Sequence, residues 1–584
     1  MQRNPAEAQM SADNLTGDTG EVLLDVRPII ERGEEPFGTI MQTVAALDGR
    51  SLLLVAPFEP TPLEGVLAAQ GYTYQSERVT DTEWRVRFEP ADAGAGAVAT
   101  DQSEAKAVAE SPFTIKSRTS PVPSATHAPS ATHAPSATHA PSATHAPSAP
   151  TLPASVMAMD PTQNVPPAWL PLGFLAAAGA GLIGFGVAMM VTAPTAVTFP
   201  RDDHVLAAVH FGVLAFLSAA VLGALHQFGP VVGAKPLRSV PAGVLTGVLF
   251  VPGAWLIPLG FATRHTGVVQ LGGVLATTAV CTAAWNLSRP LSATGKGAPI
   301  VGLRLAVAYL VVTAGFGVTY AFDRGFYWFP LLSDRVLAHA HLGLIGWLGL
   351  AYVAVAEKLW PMFLLAHRPH ARAGERAVWL VGTGAPIVTL GLLFSSQPVT
   401  IVGGALVVAG LGFHLASLAS VIAHRRRSLE LLHGFVLASA AFLAIAIMTG
   451  IVAGLAPIDT ELRTRLVVTE VFSLILWLTL AVIGHSHKIV PFITWNRLRS
   501  RGIMKGPDGR ALLFAHLVND TAARVTFGAA VVGAGAGVLG VLTATSWLVR
   551  GAGISLGLAG VLAVANLVSG PLLMIRWHDQ QQEA

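Results

Sequence analysis

This chain has little of what a soluble enzyme relies on. Cys281 is the one cysteine among 584 residues, so neither a disulfide framework nor a thiolate metal cluster is available. Charged residues make up only 12%, against about 25% in ordinary soluble domains. Few acidic side chains fall within the long apolar segments, which weakens the case for a proton-driven transporter. The net charge of +3 is segregated by loop, and no nucleic-acid partner is expected from it.

Hydrophobic residues are 52% of the chain, and their excess lies almost wholly after residue 165. Twelve candidate membrane spans follow, at 168–193, 204–227, 240–262, 266–287, 302–323, 335–356, 377–396, 399–423, 431–455, 467–489, 523–544 and 551–574. Each is near the roughly 20 residues needed to cross a lipid core. The loops after even-numbered spans carry most of the basic residues, among them Lys235 and Arg238, Arg368 and Arg372, Arg425 to Arg427, and Arg497 to Arg501. The positive-inside rule then places both termini in the cytoplasm and the protein in the plasma (inner) membrane. The polar, acidic N-terminus has no signal-peptide pattern.

A repeat organises the spans. Span 2 begins near His210 and ends in Gly229-Pro230. Span 6 begins near His341 and ends in Trp360-Pro361. Span 10 has Val471 at the matching position and ends at Pro491. The offsets, 131 and then 130 residues, leave room for four helices in each of three units. The fold class expected is mainly α: a bundle of about twelve transmembrane helices in three four-helix repeats, preceded by a small soluble α/β domain and a linker.

Residues 1–20 read as disordered and residues 21–90 as the soluble domain. Val22–Val26 and Leu52–Ala56 read as strands. Phe37–Leu47 and Leu63–Ala69 have apolar residues at helical spacing, and Tyr72–Glu77 with Glu83–Phe88 alternate as a hairpin. The order is βαβαββ, and no metal-ligand spacing occurs in it. The segments Leu24-Asp25-Val26-Arg27-Pro28, Pro57 to Leu63 and Trp84-Arg85-Val86-Arg87-Phe88 resemble the SirA/TusA-like domains, which often accompany nitrogen-oxide and redox proteins. Sulfur carriers of that kind use a cysteine after the first strand. None stands here, so the resemblance implies a regulatory or docking role toward a cytosolic partner.

Residues 91–165 read as a disordered linker rich in Pro, Ala, Ser, Thr and His. Four Pro-Ser-Ala-Thr-His-Ala copies place His127, His133, His139 and His145 six residues apart. In polyproline II geometry that is about 19 Å between neighbours, too far for two of them to chelate one ion in the extended form.

Imidazoles within a bilayer are costly without partners and mark functional candidates. Near the outer ends of spans 2 and 6 lie His210, His339 and His341, candidates for holding a haem between helices that carry small residues such as Gly212, Gly343 and Gly346. On the cytoplasmic side His226, Glu357 and His487 share one repeat position, with His485 and His433 nearby. These histidines are candidates for a copper or other second metal, and the level also suits a proton path.

The twelve spans in three arcs, with segments such as Gly223 to Val232 and His339-Ala340-His341-Leu342-Gly343-Leu344-Ile345-Gly346-Trp347, resemble subunit I of the haem–copper oxidases and the divergent NnrS-type membrane proteins. That resemblance implies a haem, an electron-transfer partner, and a redox or sensing role in respiratory or nitric oxide metabolism. His210 matches the family's helix-two haem ligand. Span 7 lacks the family's second-metal histidines, and the outer part of span 10 has Glu470 instead of a His-x-His pair. The alternative is a transporter for a metal or small solute with a cytosolic regulatory domain. A third reading is a signalling protein whose membrane part reports to that domain.

Overall fold

The computed structural model describes residues 21–31, 36–47, 49–57, 60–68, 71–80, 83–90, 166–294, 297–366, 371–506, 509 and 511–583. The expected N-terminal disorder and the histidine-repeat linker lie outside these residues. The chain divides into two compact units, Met1–Pro150 and Thr151–Ala584.

In the first unit, β1 (Glu21–Asp25), β2 (Ser51–Ala56), β3 (Tyr72–Thr80) and β4 (Glu83–Pro90) form one sheet in the order β1-β2-β4-β3. β1 and β2 pair in parallel and the hairpin pairs antiparallel. Helix α1 (Arg27–Glu31) starts with Pro28 in its first turn, where a missing N–H is harmless; the sequence pattern did not show this helix. Helices α2 (Phe37–Ala45) and α3 (Thr61–Ala68) supply Ile40, Val44, Leu63 and Leu67 to a core with Leu52, Leu54, Val86 and Phe88. Alternation in β4 sends Val86 and Phe88 into this core and Arg85 and Arg87 to the other face.

The second unit carries twelve helices long and apolar enough to cross a membrane: Trp169–Ala196, Asp203–Gly233, Val240–Ala262, Thr266–Leu291, Gly297–Phe326, Ser333–Leu364, Arg372–Leu393, Gln397–Ala423, Leu431–Leu455, Thr460–Ser500, Asp520–Leu542 and Ser546–Gln580. Burial sorts them. Within the apolar stretch of spans 2, 6 and 10, 67% of residues are buried, against 33–50% in the other nine. These three are therefore the inner helices, and each has the same place in its four-helix unit. Spans 3 and 4, 7 and 8, and 11 and 12 form tight hairpins, and span 12 packs back on span 1.

Small residues make the hairpins tight. A Cβ on Gly253 would lie 2.7 Å from the backbone of Ala276, and one on Gly384 would lie 2.8 Å from the backbone of Val407. One on Gly540 would lie 2.8 Å from the backbone of Val549. Such contacts replace the hydrophobic drive that lipid removes. The hairpin tips repeat as well: Arg264, Ser395 and Ala544 all adopt left-handed backbone with φ of 56°, 49° and 51°. This shared geometry shows the threefold repeat independently of side-chain identity. Spans 2 and 6 also share π-helical turns at Phe211–Ser218 and Leu342–Gly349. Span 10 runs as unbroken α-helix through the matching stretch and continues past Pro491 to Ser500, longer than its apolar run suggested.

Candidate functional site

One group of imidazoles is built at the N-terminal turns of the three most buried helices. His210 donates its Nδ1 proton to the Leu206 carbonyl at 2.7 Å, and its ring lies 5.1 Å from that of Phe261 on span 3. His341 makes the same bond to the Leu337 carbonyl at 2.8 Å, and its Nε2 lies 3.4 Å from Oε1 of Glu470 on span 10. His339 turns instead to span 5, where the Tyr320 ring is 5.9 Å away. Two residues along a helix are about 200° of rotation, so the two imidazoles of span 6 serve different neighbours. Among the described residues no hydrogen bond or ring contact joins His210 to His341. The space beside Gly212 and Gly346, expected from sequence to be open, is taken up by Phe185 and by Leu342 with Tyr309.

A second group sits near the other ends of the same helices. His226, His485 and His487 each donate Nδ1–H to the carbonyl four residues back, Leu222, Ala481 and Ile483, at 2.8 Å. That bond fixes the tautomer and leaves Nε2 as the lone-pair atom. His226 stacks on Phe174 at 5.3 Å and His487 on Phe435 at 5.8 Å, and the Nε2 atoms of both are buried without a partner. His433 is drawn into capping span 9: its Nδ1 accepts from the Glu430 N–H at 2.9 Å, and its ring meets the Trp360 ring edge-on. Among the described residues, no three His, Cys, Asp or Glu side chains converge as a set that could hold a metal ion. The level shared by His226, Glu357 and His487 is thus not assembled into one constellation. Each side chain turns into its own unit.

Glu357 turns toward span 8, into a pair that the sequence reading did not single out. Its Oε1 accepts from His414 Nδ1 at 3.1 Å and its Oε2 from the Ser417 hydroxyl at 2.6 Å. The Tyr352 ring stands perpendicular to His414 at 5.5 Å and to His485 at 6.0 Å. Tyr352, His485 and Ser486 line an otherwise apolar cavity of about 80 Å³ where the three inner helices meet. The repeat register could have revealed this pair, because His414 falls 131 residues after Ala283, a position where a small residue is otherwise the rule.

Residues 23–90 match the family model described as Uncharacterized conserved protein (DUF2249). The N-terminal domain is a DUF2249 domain. The match stops at the last strand, Glu83–Pro90, so its limits coincide with those of the four-stranded sheet. No curated protein matches the chain. In the DUF2249 domain Arg27 bridges Asp25 at 2.7 Å and Glu83 at 2.8 Å, tying β1 to β4 at one end of the sheet. The hydrogen-bonded guanidinium holds the Asp25 carboxyl below the usual carboxylate range.

Proposed function

We propose that the protein is a haem-binding integral membrane protein of the plasma membrane, with a redox or sensing role in respiratory or nitrogen-oxide metabolism. The observation that supports this reading is the arrangement of the imidazoles on the inner helices. His210 and His341 each commit Nδ1 to a backbone carbonyl, the second-shell bond that orients an axial ligand through Nε2. A bare transition metal needs three or four protein donors. A haem brings four donors of its own and needs only one or two imidazoles. Isolated, oriented histidines without a converging metal set fit the second requirement. His210 and His341 would hold the group, with His339 beside them on span 6. The haem would supply one-electron chemistry tuned by its ligands and burial. Glu470 Oε1 lies 3.4 Å from His341 Nε2, so ligation through His341 would require that carboxylate to move off the nitrogen, whereas His210 Nε2 has no such hydrogen-bonded neighbour among the described residues.

The absorption spectrum of the purified protein tests this reading. A Soret band is expected after expression with ample haem supply. His210→Ala or His341→Ala should shift or abolish it, while His265→Ala, at an exposed loop imidazole, should not. A wild-type protein with no haem refutes the proposal. The transporter reading would then lead, because carboxylate–imidazole pairs inside the bilayer at Glu470–His341 and Glu357–His414 also suit ion or solute passage. On either reading, the DUF2249 domain is a cytosolic docking or regulatory module. Its resemblance to SirA/TusA-like folds without their cysteine supports that role.

A further inference from the structure

The three units agree closely at the inner ends of their helices, and the second departs from the other two at four matched positions. Where the first and third have His226 and His487, it has Glu357. Where they have Phe174 and Phe435 stacked on those rings, it has Leu305. Ala283 and Ala563 give way to His414, and Asn286 and Asn566 to Ser417. In the outer units each asparagine secures a helix start: the Asn286 side chain accepts from the Ser239 N–H at 2.9 Å, and that of Asn566 from the Asn519 N–H at 2.7 Å. Ser417 has left that task and donates to Glu357. The four changes together convert a structural clamp into an acid–base pair.

That pair is enclosed. The Glu357 side chain is 9% exposed and that of His414 1%. Gly374 of span 7 gives the carboxylate its room, since a Cβ there would lie 2.0 Å from Oε2. His414 Nε2 and the Tyr352 hydroxyl are buried without a partner. Among titratable neighbours in the chain, Lys358 follows Glu357 on span 6, Glu375 and Arg376 follow Gly374 on span 7, and His485 meets the Tyr352 ring. Arg376 is occupied over the Phe413 ring at 5.3 Å. With no proton to share, the pair carries one negative charge in an apolar setting. With two, it carries one positive charge. With one, it is neutral, and neutrality wins where burial penalises either ion by several kcal/mol.

We propose that Glu357 and His414 form a proton-binding site that holds a single exchangeable proton. This is independent of the haem reading: it concerns other residues at the opposite end of span 6, and its ligand is a proton. Loss of that proton must be matched by arrival of another positive charge or by opening of the site to water. The site is therefore a coupling element for whatever crosses or reacts in the bundle.

Infrared absorption of the purified full-length protein, with Glu357→Gln as the subtraction, tests it. In His414→Gln the carboxylate has lost its imidazole and must take the proton itself. A protonated-carboxyl band that shifts in D2O is therefore expected in that variant at neutral pH. Ser417→Ala, which keeps the pair and removes one donor, should leave wild-type proton occupancy and alter only the hydrogen-bond shift of the Glu357 bands. Glu357 carboxylate bands that appear near pH 4 to 5 in wild type and His414→Gln alike, as for a carboxyl in water, would overturn the proposal. So would displacement of the proton by micromolar Zn²⁺ in wild type.

Discussion

Phe88 and Arg87 are neighbours on β4 of the DUF2249 domain, yet their replacement should differ by several kcal/mol. Phe88 is fully buried, pairs with Leu52 on β2, and lies 6.2 Å from the Tyr74 ring. Truncating such a phenylalanine to alanine costs about 3–5 kcal/mol. A domain of this size has a total stability of roughly 3.5–10 kcal/mol at 0.05–0.15 kcal/mol per residue. Phe88→Ala should therefore remove about a third or more of that stability and lower the urea midpoint by the same fraction. Arg87 contacts Glu21 at 2.7 Å, but its side chain is 48% exposed, and solvent-screened pairs contribute at most about 1 kcal/mol. Urea unfolding of a 21–90 fragment, followed by circular dichroism, measures both. Equal losses for the two variants would refute the assigned strand faces. A wild-type fragment that folds only with added metal would refute the independence of the domain.

Two further outcomes follow from named contacts. The Asp25 carboxyl is held below its unfolded value by Arg27, so the stability it contributes is full above about pH 3.9 and is lost as pH falls through the folded value. Fragment urea midpoints should drop across that acid window in wild type and stay flatter in Asp25→Asn. In the membrane unit, Asn566→Ala frees the Asn519 N–H and carbonyl, bonded at 2.7 and 3.0 Å; leaving these part-buried groups without that partner costs at most about 1–3 kcal/mol. The melting temperature of the purified protein should fall for Asn566→Ala and for Asn286→Ala, and an unchanged value for both would rule out the clamp.

The architecture was legible in the sequence because its signals are long. Runs of some twenty apolar residues and the spacing of Pro230, Pro361 and Pro491 yield twelve spans in three units, and strand alternation yields the sheet of the first domain. Short or subtle elements were not legible. Helix α1 is five residues long, and its Arg27-Pro28 start reads equally as the end of a strand. The extra length of span 10 lies at both ends, in Thr460–Leu466 and Val490–Ser500, where Glu461, Arg463, Arg465, Arg497 and Arg499 make apolar counting stop short. The direction each histidine faces was the largest gap. His226, His487 and Glu357 share a level by offset, but ring stacking on Phe174 and Phe435 and the bond from His414 are tertiary facts. Comparing the three units residue by residue, at Ala283 and His414 for example, is the one sequence signal that pointed there.

The π-helical turns at Phe211–Ser218 and Leu342–Gly349 change how spans 2 and 6 must be drawn. A hydrogen bond reaching back five residues admits an extra residue into the turn. Above and below such a turn a helix keeps regular angular spacing, but the two stretches no longer share one phase. Spans 2 and 6 thus need two helical wheels each, one for His210 or His341 and another for His226 or Glu357, whereas span 10 needs only one. A single wheel through either helix would assign one of its two polar ends to the wrong neighbour. Cysteine-scanning or crosslinking data on these spans should accordingly show a break in periodicity between residues 211 and 218 and again between 342 and 349, with none between 472 and 479.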